Sequence, residues 1–252
     1  MSSAQHGLRT TRRQFLAGAA GAVGCAHVEE RPSEPLSVSE LARGLAPPTL
    51  SERERAVVLY EYVRDVIRFG FQETFDDATP EETLRVRLGH CNPQGELLCE
   101  LARSVGIRAE QHFVTINGDL LNGILRAPSR ITHSYVRFWI GGRPIEVDGY
   151  VCDPTFFRGA QARLKRGNAA VGFAVHRDGS VAWDGWTRCM SQMADPSMVL
   201  EAHGPADPRA FYGSDANANR LNAFERFLLR SFALPAANST IDRIRREGGE
   251  LG

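Results

Sequence analysis

Between Ser51 and Ile67 apolar side chains recur at Val57, Val58, Tyr60, Tyr62, Val63, Val66 and Ile67, behind the start Ser51-Glu52-Arg53-Glu54. That spacing, with a serine three residues before a glutamate, predicts a capped helix. A loop with Asp76, Asp77 and Pro80 leads to a short helix over Glu81–Leu88. A longer helix follows Gly89, with Leu97, Leu98, Leu101, Ala102 and Val105 as its inward stripe. Asn92 is suited to cap it, Pro93 fits its first turn, and Gly106 closes it with Ile107 as the next hydrophobic contact. Cys91 therefore falls at a helix N-terminus.

The period then changes to two. Ala109–Ile116 alternates as a strand and runs into Asn117-Gly118, a tight-turn signal. Two further strands, 133–140 and 143–151, flank Gly141-Gly142. A helix followed by antiparallel strands is the signature of an α+β domain. Beyond Lys165 the pattern dissolves into Gly, Asp and Asn clusters with one amphipathic helix around Leu221–Phe232. The expected organisation is a domain over 48–165 and an extension, 166–252, that packs on it, with no internal repeat.

The hairpin fixes its own register. A two-residue turn at Gly141-Gly142 pairs Val136 with Val147, Phe138 with Ile145 and Arg137 with Glu146, so apolar pairs share one face and the charge pair the other. A three-residue loop would set Arg137 against Val147 and destroy that match. In the preferred register Asp148 lies diagonal to His133 on the same face, at roughly 5–8 Å between Cβ atoms. Asp153 has the wrong parity unless a bulge near Gly149 resets the strand.

Composition adds limits. The chain has 252 residues, 42% hydrophobic and 24% charged, with 30 basic against 30 acidic side chains. That suffices for one sizeable core, and zero net charge gives no reason to expect a nucleic-acid partner. No apolar run is long enough to span a membrane. The longest one follows Arg12-Arg13-Gln14-Phe15-Leu16 and is rich in Gly and Ala, which resembles a twin-arginine export signal over 1–26 and implies a periplasmic or other extracytoplasmic location. Ala22-Val23-Gly24-Cys25 resembles a lipobox, whereas Gly24-Cys25-Ala26 equally suits ordinary cleavage. Both ends stay open, so a lipid anchor at Cys25 is the one membrane link expected. Residues 27–47, with Pro32, Pro35 and Pro47, read as a linker. If Cys25 is processed and Cys91 is reactive, at most one disulfide can form among Cys99, Cys152 and Cys189.

A cysteine attacks as thiolate, which the positive end of a helix favours, and it needs a histidine to move its proton and an acid to orient that histidine. Cys91, His133 and Asp148 supply these types in that order. Gly-x-Cys at the helix start, Ala-Arg-Ser-Val-Gly-Ile-Arg-Ala at its end, the His-Ser-Tyr strand and the Val-Asp-Gly strand resemble the transglutaminase-like superfamily, over about residues 50–157. The resemblance implies a papain-like α+β core in which a helix with cysteine at its N-terminus packs on an antiparallel sheet carrying histidine and aspartate. It implies Cys91 as nucleophile, His133 as general base and acid, and Asp148 as orienting carboxylate. The family often has Asp-Pro-Thr after the strand, so Asp153-Pro154-Thr155 competes; register favours Asp148. Asn92-Pro93-Gln94 departs from the family's usual residues after the cysteine. No upstream Trp or Gln stands out for an oxyanion hole, which leaves Gln72 or the backbone N–H of Cys91 or Asn92.

Other combinations carry less. A zinc set of His90, Cys91, Cys99 and His112 matches no ligand spacing, so no metal and no cofactor is expected. Cys99, two helical turns on, reads as core. Trp183, Trp186 and Phe173 read as packing of the extension ahead of a cleft lining. The resulting expectation is an exported cysteine enzyme that acts on amide or peptide bonds of a peptide or protein through a thioester, with hydrolysis favoured over cross-linking. The alternative is a catalytically inactive domain of the same fold used for binding.

Overall fold

A computed structural model describes residues 37–251. The export signal expected over 1–26 and the first part of the linker, 27–36, lie outside those residues. The described residues form one compact unit.

Two helices come first. α1 (Val38–Leu45) and α2 (Glu52–Val66) each begin with a complete capping box, Ser37 with Glu40 and Ser51 with Glu54. α1 corrects the linker reading for its last stretch: Val38, Ala42 and Ala46 are buried in the core. Ser37-x-x-Glu40 followed by Val38, Leu41, Ala42 and Leu45 at i, i+3, i+4 and i+7 is a helix signal that the flanking prolines obscure. β1 (Arg68–Phe69) and β2 (Leu88–Gly89) form a short parallel pair on either side of α3 (Pro80–Val86). α4 runs Cys91–Ser104.

Three strands follow: β3 (Ala109–Asn117), β4 (Arg130–Ile140) and β5 (Arg143–Val147). β4 and β5 pair in the register the apolar pattern demands, Val136 with Val147, Arg137 with Glu146 and Phe138 with Ile145. Gly141 and Gly142 both have positive φ, as a two-residue turn of this hand requires. Asn117-Gly118 does not make the expected tight turn. Gly118–Leu121 coils as a 3-10 turn, and the chain returns to the sheet only at Arg130.

The region after Lys165 is more than an appendage. After α5 (Pro154–Arg166) and the two-residue strands β6 (Val171–Gly172) and β7 (Val175–His176), β8 (Val199–Pro205) joins the sheet against β3, giving the antiparallel order β5-β4-β3-β8. No boundary at 165 separates it from the rest. α6 (Pro208–Tyr212) stacks Phe211 on Phe113 at 4.1 Å between ring centroids. The helix expected around Leu221–Phe232 is α7 (Ala223–Leu228) continued by a π-turn over Leu229–Ala233 into α8 (Leu234–Glu250). Met190, Met193 and Met198 cover Val114 and Ile116 on one face of β3, while α4 and α2 pack with Val136 and Phe138 in the main core. Among the described residues no helix is long and apolar enough to cross a membrane.

α5 and α8 cross at two glycines. A Cβ on Gly159 would overlap the Ile244 carbonyl, and one on Gly248 the Thr155 carbonyl. Overpacking a close backbone crossing costs about 1–3 kcal/mol. Gly159→Ala and Gly248→Ala should each lower the unfolding free energy measured by urea titration by that amount, whereas Gly44→Ala, with open space around it, should not.

Candidate active site

The N-terminus of α4 is built without a side-chain cap. His90, rather than Asn92, is the N-cap residue; its side chain makes no capping bond, because its ring turns to Asp76 at 2.8 Å. Asn92 faces the same carboxylate, donating to Asp76 Oδ1 at 2.7 Å. The first α-helical bond is Gln94 N–H to the His90 carbonyl. Pro93 has no N–H, so Cys91 and Asn92 hold the free donors of the first turn, pointing along the positive end of the helix.

Cys91 and His133 line one small cavity of about 50 Å³, together with Phe71, Phe75, Thr132 and Gln192. Cys91 is 8% exposed and His133 1%. The first half of β4 is free for this purpose because β5 pairs only with residues 136–140. β5 stops where Asp148 N–H and Gly149 N–H both turn to the Cys189 carbonyl.

That turn delivers Asp148 to the histidine. Its Oδ2 lies 3.3 Å from His133 Nε2, as the sequence register implies. Asp148 is wholly buried, and a bare carboxylate there would be prohibitively costly. The chain 191–193 resolves this: Ser191 N–H and Oγ and Gln192 N–H donate to Oδ1, and Met193 N–H donates to Oδ2 at 2.9 Å. Burial acts to raise the Asp148 pKa, but the hydrogen bond and charge of His133 and the Met193 and Ser191 N–H groups outweigh it and hold it below the usual carboxylate value. For His133 burial acts downward, and the facing Cys91, with hydrogen bonds to Asp148 and Cys91, lifts the imidazole to about 10.

Asp153 is engaged elsewhere. It caps α5 through Phe156 N–H and grips Arg245, whose Nη2 lies 2.9 Å from its Oδ2. Gln72 does not present a free donor: its Nε2 binds the Leu88 carbonyl at 2.6 Å and Thr83. The four residues weighed for zinc do not gather. His90 pairs with Asp76, His112 stacks on Tyr135, and burial pushes the Cys99 thiol up to about 12. Cys152 and Cys189 are also free, buried thiols raised by burial. Trp183 packs in the core between Tyr60 and Phe138, Phe173 lies beneath Arg163, and Trp186 is exposed beside Arg53.

Sequence reasoning missed several neighbours. Asn219 bridges Thr132 and Asp76, closing the edge of β4 beside His133. The 191–193 donors are backbone groups, which any side chains could accompany, so no residue pattern marks them. Asp76 sat in a visible acidic loop, but only the fold places it under His90 and Asn92.

Residues 39–149 match the Transglutaminase-like superfamily. That match covers less than half of the chain, and the fold it lies in is α+β, with a cysteine-bearing helix packed on an antiparallel sheet. Two solved structures are similar to parts of it. One is named "Putative Cysteine Protease from Cytophaga hutchinsonii", 18% identical over 46% of this chain and 38% of that one, with a TM-score of 0.38. The other is named a "putative protease" from Parabacteroides distasonis, 14% identical over 43% and 22% of the two chains, with a TM-score of 0.34. The chain thus spans well under half the length of either. No curated protein matches it in sequence.

The raised imidazole has a measurable consequence. A group that binds its proton more tightly when folded stabilises the fold fully below its ordinary pKa, 6.5, and loses that contribution as pH climbs to about 10. Urea unfolding at pH 6 and pH 10 should show His133 giving up on the order of a few kcal/mol across this window. His133→Gln should remove that part of the pH dependence.

Proposed function

We propose that this chain is a transglutaminase-like cysteine enzyme that opens amide or peptide bonds through a thioester on Cys91. The observation that carries the reading is the wholly buried His133–Asp148 pair facing a cysteine at the first residue of a helix. Cys91 Sγ attacks the carbonyl carbon with its proton already resident on the charged His133. The developing oxyanion is met by the N–H groups of Cys91 and Asn92, fixed donors at the positive end of α4. Collapse expels the amine, protonated by His133, and leaves an acyl thioester. Water then attacks the thioester and gives its proton to His133, and the acid departs as Cys91 is regenerated. Asp148 stays ionised throughout and holds the ring orientation.

Hydrolysis is favoured over transfer to an amine. The cavity at Cys91 admits water-sized acceptors, and Lys165 is the sole lysine of the chain, so the protein offers itself almost no acceptor for cross-linking. The sequence signal at Arg12-Arg13 supports action outside the cytoplasm, with Cys25 available for a lipid anchor.

Iodoacetamide separates a nucleophile from a packing thiol. Intact-mass kinetics should show Cys91 alkylated roughly a hundredfold faster than Cys99, Cys152 or Cys189, whose thiols burial keeps protonated. His133→Ala should slow Cys91 by at least about tenfold, and Asp148→Asn by far more than Asp153→Asn. Equally slow labelling at all four cysteines would contradict the enzyme reading. An Asp153→Asn effect larger than that of Asp148→Asn would contradict the assignment of the acid.

A further inference from the structure

The cavity at Cys91 shares lining residues with two other spaces, and these differ in polarity. Phe71, Phe75, Leu121, Ile131 and Asn219 line it, and the same five residues form one wall of a second space of about 630 Å³. The facing wall is Leu228, Leu229 and Phe232, from α7 and the π-turn after it. Almost all of this groove is apolar, with Arg126 and Glu225 as its charged members. On the other side of Phe75 and Asn219 lies a recess of about 50 Å³ bearing Asp76, Asp77, Arg220, Arg226 and Arg230. Arg226 and Arg230 reach back from α7 and the π-turn to Asp77, at 3.0 and 3.9 Å, and so fix the outer wall of the groove.

We propose that the groove is the acyl-binding site, and that its occupant is an unbranched aliphatic chain attached to the carbonyl that Cys91 attacks. This rests on the nucleophile reading above. The size suits a ligand of several hundred Å³ rather than one side chain. A peptide strand laid there would bring an N–H and a C=O with every residue, and the apolar walls offer them almost no partners. A chain without polar groups meets no such penalty. It would also cover Leu228 and Phe232, which are exposed large apolar side chains. The acyl side is the one that profits: it stays bound through the thioester, while the amine leaves after the first step.

The test uses alkyl chloromethyl ketones, R–CO–CH2Cl, with R from two to fourteen carbons. Cys91 displaces chloride at the methylene carbon and forms a thioether, so the rate reads the fit of R without requiring turnover. The second-order rate should rise about threefold to fourfold per added methylene until the groove is full, the increment expected for burying one CH2. Ala127→Trp, which puts a bulky ring into the groove wall, should pull the ratio of long-chain to short-chain rates toward one. Phe224→Ser, on the exposed face of α7 and outside the groove, should leave that ratio as it is.

Flat or falling rates with chain length, in protein whose Cys91 still reacts rapidly with iodoacetamide, would overturn the acyl site and leave the nucleophile reading standing. Slow iodoacetamide reaction at Cys91 would overturn both. A leucyl or phenylalanyl peptide chloromethyl ketone that outpaces every alkyl ketone would assign the groove to peptide side chains and overturn the proposal. So would light scattering that shows a dimer whose dissociation is needed for long-chain reagents to react.

Discussion

A carboxylate with no access to water is the constraint around which this molecule is arranged. Asp148 is wholly buried, and a charge in that position persists only when its lone pairs meet donors. Three consecutive residues, Ser191 to Met193, supply backbone N–H groups, and Ser191 adds its hydroxyl. The remaining direction belongs to His133. Once the carboxylate is held from three sides, the imidazole has one orientation left, and that orientation faces Cys91.

The constraint accounts for the role of the C-terminal third. The chain after Lys165 crosses back so that the Cys189 carbonyl ends β5, residues 191–193 surround the acid, and β8 completes the sheet beside β3. Arg245 of α8 meanwhile occupies Asp153, the other aspartate that could have served. The two acids sit five residues apart and have separate tasks: one orients a ring, the other caps α5 and ties α8 to it.

Much of this was legible in the sequence, and the reasons are local. The Gly141-Gly142 turn and the alternation on either side leave one register in which Arg137 meets Glu146, and that register places Asp148 beside His133. The run from Cys91 to Ile107 carries both the start and the stop of a helix. Local signals failed where partners are distant or where two signals conflict. Pro35 and Pro47 concealed α1 despite its capping box. Asn117-Gly118 has the composition of a hairpin turn, yet the Gly118 N–H goes to Ser129 across a long excursion. Strand β8 is short, bulged and half exposed, so its alternation is too weak to read. His90 took the cap position from Asn92 because Asp76, fourteen residues away, claims both side chains.

The central claim is that His133 is held as a charged partner between Asp148 and Cys91. NMR titration of the His133 ring, followed through its Cε1 proton, tests it directly. The account predicts a midpoint near 10 in the unaltered protein, and a lower one in Asp148→Asn, because the hydrogen bond and the charge of Asp148 both act to raise it. A midpoint at or below 6.5 in the unaltered protein, unmoved by Asp148→Asn, would contradict it.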